Sequence, residues 1–242
     1  MWYIYTTGGG SHYPLELGYR AMSSAEIVHD YDRLTIFCKD GCESYNSGGC
    51  PPWAPRFEVV QEQYPYAVLV FARFYTRFLP EQFRSSPNPS THYRFQDIIL
   101  TRLLSHLGYR VRSSCGGQAI FLNAGHCPGC GDTPCSFLLG EQSCRNSRAR
   151  VFNIGATGID AEATMRKFFG IQLQWQTRGA HQEVEYIIKV MGFFTTNSRE
   201  QNNILDQIPG ALKHLPSTHL ALDDSILYAV LKEKLTVQYL QG

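Results

Sequence analysis

The chain has 242 residues, with 22 Lys and Arg against 21 Asp and Glu and 43% hydrophobic residues. That length and composition allow a core large enough to fold without covalent staples, and they exclude an intrinsically disordered chain. A net charge of +1 with no Lys/Arg block provides no overall field for a polyanion, so neither a nucleic-acid nor a membrane partner is expected.

The N-terminal stretch MWYIYTTGGGSH has neither the basic nor the apolar region of a signal peptide, which points to a cytoplasmic protein. Its Gly8–Gly10 run lacks the Lys-Ser/Thr that completes a phosphate loop, and no GxGxxG or GxSxG motif follows anywhere in the chain. Residues 66–75, YAVLVFARFY, are dense in β-branched and aromatic side chains and read as a buried strand. With Arg73 inside it, this run is too short to span a bilayer. Residues 85–90, rich in Ser, Pro and Asn, read as a connection within one domain.

Residues 94–107 place Ile99, Leu100, Leu103, Leu104 and Leu107 at helical spacing, with Gly108 as the expected C-terminal cap. Gln118–Leu122 reads as a second strand leading into the loop HCPGCGDTPC. Asp160 is the expected N-cap of a helix over 161–169 that ends at Gly170, and residues 184–194 read as a third strand. Asp223 and Asp224 precede a further helix, SILYAVLKEKL, whose continuation TVQYL also fits a strand. Strand, helix and strand in succession predict an α/β or α+β fold: one domain over 1–242, a mixed sheet flanked by helices with cysteine-bearing loops. The cysteine-bearing part is 35–165, and no role is legible for 171–242.

The eight cysteines make up roughly 3% of the chain, below the roughly 8–10% of a disulfide scaffold. They fall into groups, and none follows Cys144. Cys127, Cys130, Cys135 and Cys144 lie close enough in sequence to converge on a single centre, with Pro128, Gly129, Gly131 and Pro134 between them allowing a tight loop. In a reducing compartment such clusters read as metal ligands or redox groups, and thiolate sets select zinc or iron–sulfur clusters over magnesium or calcium. Structural zinc sites more often pair two CxxC knuckles, and only one is present, so the spacing favours a [4Fe–4S] cluster over zinc.

Cys38, Cys42 and Cys50, followed by Pro51-Pro52, form a second and incomplete set. Either Cys115, the one cysteine outside both motifs, supplies a fourth ligand, or a metal position is left open for substrate. The wide gap before Cys50 and the lack of a following run of βα units argue against a radical S-adenosylmethionine enzyme. His126 reads as an outer neighbour or a solvent group, not a ligand. Arg145 is positioned either to put positive charge beside a cluster or to sit on the surface, and Asp160 reads as a helix cap rather than a catalytic acid.

The two motifs together resemble a family described as predicted metal-binding proteins. The likeness is carried by Cys38, Cys42, Tyr45, Cys50, Pro51 and Pro52, by Cys127, Cys130, Cys135 and Cys144-Arg145, and by Ala156, Gly158, Ile159 and Asp160 of an AxGID segment. It covers roughly 35–165. The chain departs from the family pattern in the widened gap before Cys135, in Asn153 and Gly155, and in Cys115, which has no counterpart. The resemblance implies iron–sulfur binding in largely anaerobic metabolism, with no settled reaction.

Three functions follow as expectations. The first is a redox or electron-transfer protein with one or two [4Fe–4S] clusters and a redox partner protein. The second is an oxidoreductase or lyase whose three-cysteine cluster keeps an iron open for a small-molecule substrate. The third is a zinc-stabilised interaction module.

Overall fold

The structure is a computed structural model and describes residues 2–6, 12–78, 99–116, 119–131, 133–174 and 184–213. Its centre is the strand expected over 66–75, here β3 (Tyr66–Tyr75), after β1 (Trp2–Thr6) and β2 (His12–Ser23). β4 (Ile120–Asn123), β5 (Phe152–Asn153) and β6 (Tyr186–Thr195) complete a six-stranded sheet in the order β1-β2-β3-β6-β4-β5. All neighbours run antiparallel except β4 and β5, so the sheet is mixed.

Alternation along β3 divides the core. Val68, Val70, Ala72 and Phe74 face one side with Leu15 and Leu17 of β2; Ala67, Leu69 and Phe71 face the other. α3 (Thr101–Ser114) and α5 (Ser198–Lys213) cover the first face, burying Leu103, Leu104, Leu107 and Val111 beside Ile204 and Ile208. α2 (Phe57–Gln63) and α4 (Ala161–Phe169) cover the second with Phe57, Val60, Met165 and Phe168. Each such side chain taken from water contributes about 1.5–3 kcal/mol, which makes this two-sided burial the main support of the fold. Arg73 is accommodated because Glu16, its register partner on β2, accepts its Nη2 hydrogen at 2.7 Å.

α4 has the expected ends: the Asp160 side chain accepts from the Ala163 N–H at 2.9 Å, and Gly170 closes the helix at φ +66°. Gly108 corrects the cap expected after Leu107. The helix continues past it to Ser114, and a Cβ at Gly108 would lie 2.5 Å from the Phe121 ring of β4. The glycine therefore admits a close helix–strand contact instead of ending a helix. The expected residues 94–98, the connection at 85–90 and the C-terminal helix after Asp224 lie outside the described residues. Among the described residues, no helix is long and apolar enough to cross a membrane.

Candidate metal centre

α1 (Tyr31–Lys39) buries only Thr35 and is held at its start by polar contacts. Asp30 caps it, Arg33 bonds to Asp160, and Arg56 of the α2 N-cap reaches Asp32 at 2.8 Å. The AxGID segment pairs with the chain ahead of α1: the Asp30 N–H donates to Gly158 O at 2.7 Å and the Asp160 N–H to Val28 O at 2.8 Å. Cys38 lies in the last turn of α1, Cys42 is exposed just beyond, and Cys50 is buried after a series of tight turns.

The second loop leaves β4 at buried Asn123, whose amide accepts from Ser105 Oγ at 2.9 Å and donates to His126 O at 3.1 Å. Ser136, also buried, donates to Ser143 O and accepts from the Arg145 N–H, which ties the Cys144 arm to the Cys135 arm. Arg145 pairs with Glu141, and the His126 side chain is exposed.

The two loops meet along the β5 edge. The Asn153 N–H of β5 donates to Gly49 O at 2.8 Å, and the Gly48 N–H donates to Cys135 Sγ at 3.3 Å. Only glycine permits this approach: a Cβ on Gly49 would lie 2.7 Å from Val151 O and 2.8 Å from Cys127 Cβ, and one on Gly48 would lie 2.8 Å from the Phe137 ring. Arg150 joins the loops from the other side, donating through Nε to Gly48 O at 2.7 Å and through Nη2 to Trp53 O at 3.2 Å. Its guanidinium lies over Phe137 at 4.9 Å, and Phe137 stacks on Trp53 at 4.5 Å.

Backbone amides aim at the sulfurs of the second loop. Cys127 Sγ accepts from the Gly129 N–H at 3.5 Å and the Val151 N–H at 3.4 Å. Burial pushes the Cys135 thiol up, but the amides of Gly48, Phe137 and Leu138 with the Arg150 charge outweigh it, and the thiol lies below its ordinary value. In the first group, burial raises Cys38 and Cys50. Cys42 adds to both, and Cys38 and Cys127 add to Cys50. Tyr109 on α3 donates to Ala149 O; burial, then the nearby Cys127, pushes its phenol up, with Cys130 and Cys144 adding.

Cys38, Cys42 and Cys50 are thus mutual electrostatic neighbours, and Cys127 is the member of the second group that reaches them. Cys115 stands apart. It ends α3 against α5, with Asn203 Nδ2 at 3.8 Å from its sulfur and Glu200 adding to the effect of burial in raising its thiol, and the structure does not place it with the first group. Among the described residues, no group of three or more His, Cys, Asp or Glu side chains is gathered closely enough to hold a metal ion.

The donor chemistry nevertheless fits a soft metal or a cluster: seven free thiols in two touching loops, with N–H groups directed at sulfur. Ser47 adds to that fit. Its hydroxyl lies beside Cys50 and favours the thiolate, yet Ser47 Oγ is buried and has no hydrogen-bond partner among the described residues. Three residues that organise this edge, Gly48, Tyr109 and Arg150, escaped the sequence reading. The Gly48-Gly49 pair directly ahead of Cys50 was the available signal for a close backbone approach.

The fold is a mixed α/β domain with two thiol-bearing loops packed at one sheet edge. The chain belongs to the DUF2284 family of predicted metal-binding proteins, whose model matches residues 21–191. That match includes β3 between the motifs and extends beyond them into β2 and β6. Comparison with curated proteins and with solved structures finds no match.

Proposed function

We propose that this chain is a cytoplasmic iron–sulfur protein of redox or electron-transfer function. Cys127, Cys130, Cys135 and Cys144 would hold one [4Fe–4S] cluster, and Cys38, Cys42 and Cys50 a second. The observation that carries this reading is the contact between the loops. Gly48 and Gly49, just ahead of Cys50, lie against Cys135 and Cys127, so groups held by the two sets would be neighbours. When bound, such clusters take up and release single electrons. The chain's part is to present thiolates, to donate N–H groups to Cys127 and Cys135, and to keep Cys50 in a buried setting. A redox partner protein would dock where the loops reach solvent.

One observation supports a second reading, an enzyme with a metal position open to a small-molecule substrate. Cys115 lies against α5, so the first group has only three thiols of its own. The test is iron and acid-labile sulfide per chain in anaerobically purified protein, with electron paramagnetic resonance after reduction. Two [4Fe–4S] clusters give about eight of each. A colourless protein with zinc and no iron or sulfide sinks both iron readings. A spectrum that changes on adding small thiols or carboxylates, at constant iron, selects the open site over the pure carrier.

A further inference from the structure

We propose, resting on the iron–sulfur reading above, that the two cysteine groups are electrically unequal and that Arg150 is the positioning residue that makes the Cys127–Cys144 group the stronger electron acceptor. Reduction adds a negative charge, and it is favoured where N–H groups and cations face the sulfurs. The second group has both. Cys127 Sγ accepts from Gly129 and Val151, Cys135 Sγ accepts from Gly48, and the Arg150 charge lies close to Cys135. The first group is less well supplied. Among the described residues the Ser47 hydroxyl favours the Cys50 thiolate, but no cation offsets the burial that raises Cys38 and Cys50, and exposed Asp40 and Glu43 bracket Cys42 in the chain.

The wider charge pattern has the same sense. From Asp30 to Glu62 the sequence has six acidic residues and three basic ones; from Thr101 to Val151 it has six arginines and two acids. Exposed charges are screened over about 8 Å at physiological salt, so most of these count for little. Arg150 is different. It is partly buried between two aromatic rings, 4.9 Å from the Phe137 centroid and 4.8 Å from that of Phe152, and it is hydrogen-bonded to Gly48 O and Trp53 O. The guanidinium therefore holds the first loop against the second, keeps the Gly48 N–H on Cys135, and supplies a fixed positive charge at the same sulfur.

The test uses the full chain, purified without oxygen, as wild type, Arg150→Gln and Arg150→Lys. Iron and sulfide are counted, and reduction potentials are measured by redox titration read by electron paramagnetic resonance. Cys42→Ser and Cys130→Ser assign each potential to its group. The expected result is a higher potential for the group containing Cys130 in wild type. In Arg150→Gln that potential falls, and it falls more than the other; in Arg150→Lys, which keeps the charge, it recovers in large part. Equal potentials in wild type, a larger fall in the group containing Cys42, or no shift at full iron content overturns the proposal. So does an Arg150→Lys potential as low as that of Arg150→Gln. Wild-type protein free of iron and sulfide is a different outcome: it removes the iron–sulfur reading itself, and this proposal with it.

Discussion

Strand β3 keeps Val68, Leu69, Val70 and Ala72 at 1% exposure or less, whereas the loops at the β5 edge leave Leu138 and Leu139 half exposed and Cys42 open to solvent. The strand is held by apolar side chains packed from both faces. The loops are held largely by directional contacts: backbone hydrogen bonds, side-chain bonds from Asn123, Ser136 and Tyr109, close approaches at Gly48 and Gly49, and Arg150. The comparison teaches that this edge depends on directional contacts around a small buried cluster of Cys50, Ala54 and Ala156, whereas the strand depends on continuous apolar burial. It also makes the two regions separable by mutation.

The largest expected effect is in the core. Leu104→Ala removes a fully buried side chain from α3 and should cost about 2–5 kcal/mol, read from denaturant unfolding, with metal content per folded chain unchanged. Loss of metal from the variant while it is still folded would show that the two regions are coupled.

Gly49→Ala is the converse. The new methyl overlaps Val151 O and Cys127 Cβ, a strain of about 1–3 kcal/mol confined to the junction of the loops. Metal content should fall while hydrogen exchange in β3 and β6 stays as slow as in wild type. If exchange in those strands quickens instead, the loops are part of the core.

Asp160→Ala tests the boundary between the regions, since Asp160 caps α4 and also binds Arg33 at the start of the helix carrying Cys38. About 1 kcal/mol of stability should be lost, and the thiol of Cys38 should become more accessible to alkylating reagents in metal-free protein.

The smallest effect concerns pH. Burial, then the hydrogen bond to Glu16, pushes the Tyr75 phenol up to about 12. A pKa raised on folding stabilises below the unfolded value near 10, and the contribution is lost as pH rises toward 12. Tyr75→Phe should remove that alkaline decline, and a stability curve parallel to that of wild type between those values would contradict the assignment.

Strand β3 was legible because β-branched and aromatic residues run through it without a break, and α4 because a capping aspartate and a terminal glycine bracket it. α1 was not legible, since it buries one threonine and depends on ion pairs with Asp160 and Asp32 that no local pattern shows. α5 was missed although Ile204, Ile208 and Leu212 lie four residues apart on the buried side; Pro209 interrupts that pattern. Gly108 was misread because a glycine after an apolar helical run looks the same whether it ends the helix or admits a ring from a neighbouring strand.

By itself the sequence determined the partition of the cysteines, since ligand spacing within a short loop is a local property of the chain. Tertiary structure alone decided that Cys115 goes to α5, that Gly48 and Gly49 bring the two groups together, and that Arg150 spans them. Those contacts join residues up to 102 positions apart, and their energies depend on distances that only the folded sheet edge sets.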